Sequence, residues 1–315
     1  MKKIIVALAL VAGILEAQTA KTILIFGGKT GYIGQKLAHL FSEQGHNVVC
    51  ATSRLENREE VNLEILATQP DRIINAAGIT GRPNIDWCET HKQETIRANI
   101  LGALNLADFA YVYNIHLTYI GTGCIYEYDE KHPMAGGIGF TEEEAPNFNG
   151  SFYSQGKIAL EKFQTSYPNI LNLRIKMPIS KELDKGFIGK ITKYKKLVNI
   201  PNSMSILEDI LPLVVDMSLR ELTGIFNMVN PGTLSHNQVL DLYKKYINPQ
   251  FTYENFTLEE QAKILIARRA NAELSANKLL SLYPNIPSAH NSLEALLKKI
   301  ASQAAEKKLT TQTLL

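Results

Sequence analysis

A tyrosine and a lysine four residues apart, Tyr153 and Lys157, are the side chains best suited to acid–base chemistry in this sequence. On a helix, this spacing puts both groups on one face. A free phenol has a pKa of about 10, but an adjacent ammonium group favours the phenolate, so the pair can pass a proton to a carbonyl oxygen. Thr122, which follows a predicted buried strand, adds a hydroxyl that would hold that carbonyl. The three residues predict chemistry at a carbonyl group.

A thiol two residues after this threonine, Cys124, could add a second kind of proton transfer. Thiols have a pKa of about 8.5 and can move protons at carbons flanking a ketone, where the carbanion is stabilised as an enolate. A lone cysteine is, however, more often a small buried side chain that fills space in a core. The residue type alone leaves both roles open.

A glycine pattern lies between a predicted strand at 22–26 and a predicted helix. Small residues at this place let the backbone approach a pyrophosphate, and the helix N-terminus supplies unpaired N–H groups, so the pattern predicts dinucleotide binding. An NTPase-type phosphate loop is excluded because Ile23 stands where that motif needs glycine. The residues expected to contact the cofactor here are Gly28, Gly31, Tyr32, Ile33 and Gly34.

The end of the second predicted strand indicates which dinucleotide is bound. NAD-preferring sites place an acidic residue there, whereas this chain has Ser53 and Arg54, which could bind a 2′-phosphate. We therefore expect NADPH, while nearby Glu56 keeps NADH open as an alternative. The next strand ends in a segment that would line the cofactor trough, namely Asn75, Ala76, Ala77 and Gly78.

Strands and helices must alternate to position these groups. The pattern predicts long helices over 91–113 and 153–167 and strands at 22–26, 47–50, 72–75, 116–120 and 170–174. This order indicates parallel βαβ units, so we expect an α/β fold with a doubly wound parallel sheet of the Rossmann type. We expect an NADP-binding domain over 21–177, a smaller and mainly substrate-binding part over 178–301, and a flexible tail over 302–315.

Composition points to a small-molecule partner. A formal net charge of +2 without long charged runs gives no sign of a nucleic-acid partner, and no Cys/His cluster predicts a metal. Residues 1–20 resemble a secretory signal, with two lysines before an apolar run that is too short to span a membrane. Their cleavage sites are poor, and three cysteines without a CxxC pattern favour a reducing compartment. We expect a cytoplasmic protein, with export as the alternative.

Four segments resemble a specific family, the bifunctional nucleotide-rhamnose synthases of the extended short-chain dehydrogenase superfamily. They are residues 81–89, 122–124, 150–154 and 199–204. The resemblance extends from about residue 21 to near residue 300. It implies that UDP- or dTDP-4-keto-6-deoxyglucose is epimerised at C3 and C5 and then reduced at C4 to the L-rhamnose nucleotide.

The family resemblance also implies roles for individual residues. Thr122, Tyr153 and Lys157 would carry out reduction, and Cys124 would act in epimerisation with the lysine of a Phe-Ile-x-Lys string, here Lys190. The segment before that string is shorter than is usual in the family, so Lys185 and Lys193 remain alternatives. The polar candidates for binding the sugar nucleotide are Asn84, Asp86 and Asn202, each of which could instead form a turn.

Two other functions fit part of the pattern. A 4-keto reductase without epimerase activity would not need Cys124, and a non-catalytic regulatory subunit would not need the threonine, tyrosine and lysine together. A homodimer is a further expectation that the sequence does not test.

Overall fold

The computed structural model describes residues 19–134 and 136–313. The signal-like segment predicted for residues 1–20 therefore lies outside the described residues up to residue 18. None of the described helices is both long and apolar enough to cross a membrane.

The chain alternates strands and helices as far as residue 175. The strands are β1 Thr22–Phe26, β2 Asn47–Cys50, β3 Arg72–Asn75, β4 His116–Thr122, β5 Ile170–Ile175, β6 Lys196–Leu197, β7 Pro201–Asn202, β8 Gly224–Asn227, β9 Leu234–Ser235 and β10 Glu254–Asn255. The helices are α1 Tyr32–Glu43, α2 Arg58–Thr68, α3 Asp86–Thr90, α4 Lys92–Ile96, α5 Gly102–Val112, α6 Phe152–Gln164, α7 Gly186–Ile191, α8 Leu207–Leu219, α9 His236–Tyr246, α10 Leu258–Ala262, α11 Asn277–Leu282 and α12 Ala289–Thr313.

Six parallel strands form the main sheet in the order β2-β1-β3-β4-β5-β8. The predicted α/β fold with a doubly wound parallel sheet is confirmed. The chain leaves β1 first toward β2 and then returns to β3 on the other side of β1. In such sheets, ligands bind beyond the carboxyl ends of the strands at this reversal. The glycine loop, Asn75 and Thr122 all lie at that edge.

Both faces of the sheet are buried, as the apolar sequence of β1 requires. Ile23 and Ile25 pack in a core with α1 and α8, whereas Leu24 and Phe26 pack in a second core with α2 and α5. A strand buried on two faces reads as a continuous apolar run instead of an alternation. The sheet is therefore a rigid base for the residues at its edge.

The long helix predicted over 91–113 is interrupted. Between α4 and α5, residues Arg97–Leu101 form a π-helical segment, which brings Asn99 into the protein interior. Such segments add one residue to a helical turn and are frequent at functional sites. No signal in the local sequence pattern indicated this insertion.

The sheet extends beyond the boundary predicted at residue 178. Strand β8 pairs with β5, and α8 covers one face of the sheet, so part of the predicted substrate-binding region belongs to the main sheet. A separate core brings together α7, α9 and α12. Helix α12 continues to Thr313, where the sequence predicted a flexible tail from residue 302.

Candidate active site

The glycine loop turns tightly between β1 and α1. Gly27 has a φ of +81°, and a Cβ on it would lie 2.8 Å from the carbonyl of Ala76. A Cβ on Gly31 or Gly34 would lie within 2.5 Å of the Gly27 oxygen. Gly31 is the N-cap of α1 and has no side chain to cap it, so the first N–H groups of the helix stay available for an anion. This cradle fits the pyrophosphate of a dinucleotide.

The two larger residues of the loop serve mainly to hold it. The Tyr32 hydroxyl lies 2.6 Å from Ser180 Oγ, which ties α1 to the segment after β5. Ile33 is half-buried against the core beneath α1. Burial raises the pKa of Tyr32 to about 12, so the phenol is neutral here. Both side chains are thus engaged within the protein, and the predicted cofactor contact at Tyr32 and Ile33 stays a prediction, for their backbone N–H groups at the start of α1.

The loop after β2 presents an exposed arginine that is paired with a neighbouring carboxylate. Arg54 is 72% exposed, and its Nε donates to Glu56 at 2.7 Å. Ser53 does not act as the second donor expected from the sequence, because its hydroxyl and its N–H both donate to Glu64 of α2. Glu64 lies eleven residues away in the sequence, so the competition arises only in the folded chain. Arg54 therefore remains the residue predicted to contact a 2′-phosphate.

The segment after β3 is shaped by buried amides. Asn75 accepts a hydrogen bond from the Ala77 N–H at 3.1 Å. Asn99 holds the next stretch through two bonds to the backbone of Ile79, at 2.8 and 2.7 Å. A Cβ on Gly78 would lie 3.2 Å from Asn99 Oδ1 and 3.7 Å from Lys157 Nζ. The trough predicted from Asn75 to Gly78 thus borders directly on the acid–base pair.

Thr122, Tyr153 and Lys157 lie together at the end of β4, and each is at most 8% exposed. Lys157 Nζ lies 5.8 Å from the centre of the Tyr153 ring and donates to the Tyr119 hydroxyl at 2.5 Å. The Thr122 hydroxyl interacts with the Tyr153 phenol and accepts the Cys124 N–H at 3.1 Å. Sequence reasoning did not identify Tyr119, because its only signal in the sequence is its place in a buried strand.

Hydrogen bonds hold helix α6 against the sheet both before Tyr153 and after Lys157. Ser151 caps the helix by accepting the Ser154 N–H, and the Ser154 hydroxyl donates to the Cys124 carbonyl at 2.7 Å. One turn beyond Lys157, Glu161 receives two bonds from buried Arg174 of β5, at 3.0 and 2.6 Å. The helix therefore has little freedom to shift relative to β4.

The electrostatics of Tyr153 differ from the expectation that Lys157 makes it a phenolate. Burial raises the pKa of Tyr153 to about 12, and the nearby lysine only partly opposes this effect. Desolvation of the phenolate outweighs the attraction of one ammonium group. The phenol is therefore a proton donor at neutral pH, which suits reduction of a carbonyl group.

Cys124 is half-buried and lies near more than one basic group. Lys190 of α7 interacts electrostatically with Cys124, whereas the choice of Lys190 over Lys185 and Lys193 stays a prediction. Lys190 is exposed as a residue, but desolvation of its amine lowers its pKa, and the charge of Arg269 lowers it further. The negative charges of Cys124 and Asp86 partly oppose this shift. A thiol and an amine of lowered pKa are both able to transfer protons near neutral pH.

Comparison with known proteins identifies the family. The NAD dependent epimerase/dehydratase family matches residues 23–179. The chain is 49% identical, over 88% of its length and 93% of the relative, to a bifunctional dTDP-4-dehydrorhamnose 3,5-epimerase/dTDP-4-dehydrorhamnose reductase from Arabidopsis thaliana. The chain belongs to this epimerase/reductase family. The resemblance inferred from the sequence is thereby confirmed.

Other members and neighbours agree with this assignment. The crystal structure of the L780 UDP-rhamnose synthase from Acanthamoeba polyphaga mimivirus is 40% identical, with a TM-score of 0.84, and covers 89% of this chain and 99% of that one. A trifunctional UDP-glucose 4,6-dehydratase/epimerase/reductase from Arabidopsis thaliana is 48% identical over 84% of this chain, which spans 40% of that larger protein. A dTDP-4-dehydrorhamnose reductase from Bacillus anthracis, 18% identical with a TM-score of 0.75, shares the fold.

The polar residues predicted to bind the sugar nucleotide occupy different places in this epimerase/reductase. Asn84 accepts the Asp86 N–H at 2.8 Å and so forms the turn before α3. Asn202 is fully buried, and Asn271 and Ala272 engage its amide, so the predicted substrate contact is corrected to a packing role.

Of the three residues, Asp86 is the one that interacts electrostatically with Lys190. It forms an ion pair with Arg269 at 2.8 Å and accepts the Ala267 N–H at 3.1 Å. Sequence reasoning missed Arg269, because its contact with Asp86 joins residues 183 positions apart. The pair links the first residue of α3 to the C-terminal part of the chain.

Proposed function

We propose that this protein converts a UDP- or dTDP-linked 4-keto-6-deoxyglucose to the corresponding L-rhamnose nucleotide by 3,5-epimerisation and NADPH-dependent 4-keto reduction. The observation that carries the proposal is the placement of Cys124 directly after the buried Thr122, Tyr153 and Lys157 group, at the sheet edge that also carries the glycine cradle. A single sugar ring could then meet both sets of groups. The membership of the epimerase/reductase family supports the same activity.

Reduction uses the buried group. The glycine loop and Arg54 would hold NADPH, which would supply the hydride. The Thr122 hydroxyl holds the C4 carbonyl, and Tyr153 gives its proton to the carbonyl oxygen. Lys157 stabilises the phenolate that results, because its ammonium group lies close to the ring.

Epimerisation uses the groups that a simple reductase would not need. The C–H bonds at C3 and C5 flank the ketone, so loss of either proton gives an enolate whose charge rests on the C4 oxygen. Cys124 and Lys190 remove and return these protons, and the hydroxyl group of Thr122 stabilises the enolate oxygen. A protein that uses NADPH needs a compartment that supplies it, so the proposed location of this protein is the cytoplasm.

The test is a product assay in deuterated water with UDP- and dTDP-linked 4-keto-6-deoxyglucose. With NADPH, we expect the rhamnose nucleotide carrying deuterium at C3 and C5, and without NADPH, deuterium exchange alone. An unepimerised 6-deoxyhexose as the product would assign the protein to the reductase-only class. Absence of both exchange and reduction with either nucleotide would refute the proposal. The ratio of rates for the two nucleotides identifies the preferred substrate.

A further inference from the structure

Tyr119 of β4 is a buried tyrosine to which the proposed reaction assigns no role. Its ring packs in the core formed with α2 and α5, where its neighbours are apolar side chains. A phenylalanine would fill this space without burying a polar atom. A buried hydroxyl group costs free energy unless it is hydrogen-bonded, so the hydroxyl of Tyr119, and not its ring, needs an explanation.

The hydroxyl group of Tyr119 contacts the amine of Lys157. Lys157 Nζ lies 2.5 Å from the Tyr119 oxygen and 5.0 Å from the centre of its ring. Among the residues that the structure describes, neither the hydroxyl nor the amine forms a second hydrogen bond, and the amine forms no ion pair. Burial raises the pKa of Tyr119, so its phenol is neutral. A neutral phenol can accept a hydrogen bond from an ammonium group or donate one to a neutral amine, so the contact fixes Lys157 in either protonation state.

Strand β4 and helix α6 meet through two pairs of side chains. At the end of the strand, the Thr122 hydroxyl interacts with the Tyr153 phenol. Three residues earlier in the strand, Tyr119 contacts Lys157, which lies one helical turn after Tyr153. The first pair holds the phenol, and the second holds the amine 5.8 Å from the centre of the Tyr153 ring. A lysine has a flexible four-carbon stem, so a contact at its amine is what fixes this distance.

The polar groups on the other side of the amine do not replace Tyr119. Asn99 borders the trough, where a Cβ on Gly78 would lie 3.2 Å from Asn99 Oδ1 and 3.7 Å from Lys157 Nζ. The backbone of Ile79 engages both the oxygen and the nitrogen of the Asn99 amide. This side of the amine is also where we expect the cofactor. Tyr119 is therefore the group that holds Lys157 from the sheet.

We propose that Tyr119 is a positioning residue for reduction, whose hydroxyl group holds the Lys157 amine beside Tyr153. As the C4 carbonyl accepts a hydride, Tyr153 gives its proton to the carbonyl oxygen: the phenol O–H bond breaks, an O–H bond forms on the sugar, and a phenolate remains. An ammonium group stabilises this phenolate more strongly the closer it lies. Tyr119 acts through Lys157 and takes no part in epimerisation. This role rests on the proposed function.

The variant Tyr119→Phe removes the hydroxyl group and keeps the ring. The kcat for NADPH-dependent reduction should fall about 10- to 100-fold, the range expected for loss of a hydrogen bond to a charged group. The KM for the sugar nucleotide should change less than about twofold, because an interaction needed only in the transition state affects kcat and not binding. Deuterium exchange at C3 and C5, measured without NADPH, should keep its wild-type rate. An equal loss of both activities would indicate general damage and would overturn the proposal.

A double-mutant cycle tests whether Tyr119 acts through Lys157. Lys157→Met should lower the rate of reduction more than Tyr119→Phe does, and adding Tyr119→Phe to Lys157→Met should change the rate less than about twofold. Tyr119→Phe effects of equal size in both backgrounds would overturn the proposal. Tyr113→Phe is the matched control, because Tyr113 packs against the same core and its hydroxyl donates to Asn62 at 2.6 Å. We expect this control to reduce the substrate at the wild-type rate, and a loss like that of Tyr119→Phe would contradict a specific role.

Crystal structures of the wild-type protein and of Tyr119→Phe provide a measurement that does not depend on activity. The Lys157 amine should lie farther from the Tyr153 ring in the variant, and an amine that keeps its place would overturn the proposal. If Tyr119→Phe does not fold, as judged by circular dichroism and NADPH binding, Tyr119→Met supplies a flexible side chain without a hydroxyl and should show the same selective loss of reduction. Failure of the wild-type protein to reduce either nucleotide substrate would refute the proposed function, whereas the position of Lys157 tests the role of Tyr119 separately.

Discussion

Replacement of Arg54 by alanine should weaken the use of NADPH far more than that of NADH. Only the phosphorylated ribose offers a charged group to the guanidinium, which donates through a planar fork suited to phosphate. The side chain is 72% exposed, so it can reorient toward a ligand without disturbing the core. The prediction therefore concerns cofactor choice and not stability.

The expected size follows from the surroundings of Arg54. A hydrogen bond to a charged group contributes about 1.5–3 kcal/mol, whereas a solvent-exposed ion pair contributes about 0–1 kcal/mol. Arg54 must also give up part of its present bond to Glu56, at 2.7 Å. We therefore expect a net loss of about 1–2 kcal/mol, which corresponds to a fall of about 5- to 30-fold in kcat/KM for NADPH. The value for NADH should change less than about twofold.

Steady-state kinetics with both cofactors provide the assay, and Glu56→Gln provides a change of the opposite sign. Removal of this carboxylate frees Arg54, so the preference for NADPH should rise by up to about fivefold, equivalent to about 1 kcal/mol. Arg58→Ala is the matched control, because Arg58 is an exposed arginine at the start of α2 that pairs with Asp108 of α5. An unchanged ratio of NADPH to NADH in Arg54→Ala would refute the reasoning.

Further predictions concern the reaction and the ion pair that holds helix α6 against the sheet. Tyr153→Phe should abolish reduction but retain deuterium exchange at C3 and C5, which mass spectrometry detects; loss of exchange in a folded protein would show that both steps share this acid. Cys124→Ser should bind NADPH normally yet form no rhamnose nucleotide, because a serine hydroxyl is far less acidic than a thiol; a near-normal yield would make the thiol a bystander. Lys190→Ala should impair the same deuterium exchange, and unaltered exchange would return the role to another lysine. Glu161→Ala should lower the free energy of unfolding in urea by about 3–5 kcal/mol, because Arg174 stays buried and unpaired; a loss below about 1 kcal/mol would contradict this.

The features that sequence reasoning predicted well are those encoded by neighbours in the chain. The glycine loop needs only a strand, small residues and a helix in succession, and Tyr153 and Lys157 need only one helical turn. Periodicity and spacing carry this information because the interactions lie within a few residues.

The features that the sequence did not predict depend on distant contacts. Ser53 was expected to face the cofactor, but Glu64 engages it across the loop. Asn202 was expected to contact the substrate, yet its amide forms hydrogen bonds with residues about 70 positions away. Asn99 reaches Ile79 only because a π-helical segment rotates the helix at that point. Residue types identify possible donors, but competition for them is decided by the folded chain.

The addition of β8 to the main sheet has a consequence for synthesis of the chain. Residues 22–175 contain five of the six parallel strands, but β8 ends only at Asn227. Until residue 227 has left the ribosome, one edge of β5 has no partner strand. The sheet face that α8 later covers meanwhile exposes Leu171 and Leu173 to solvent. An exposed edge beside an apolar face favours association with other chains. We therefore expect the nascent chain to need protection by chaperones while the roughly fifty residues between β5 and the end of β8 are synthesised. The order of the strands sets the length of this interval, and the chemistry of the site has no part in it.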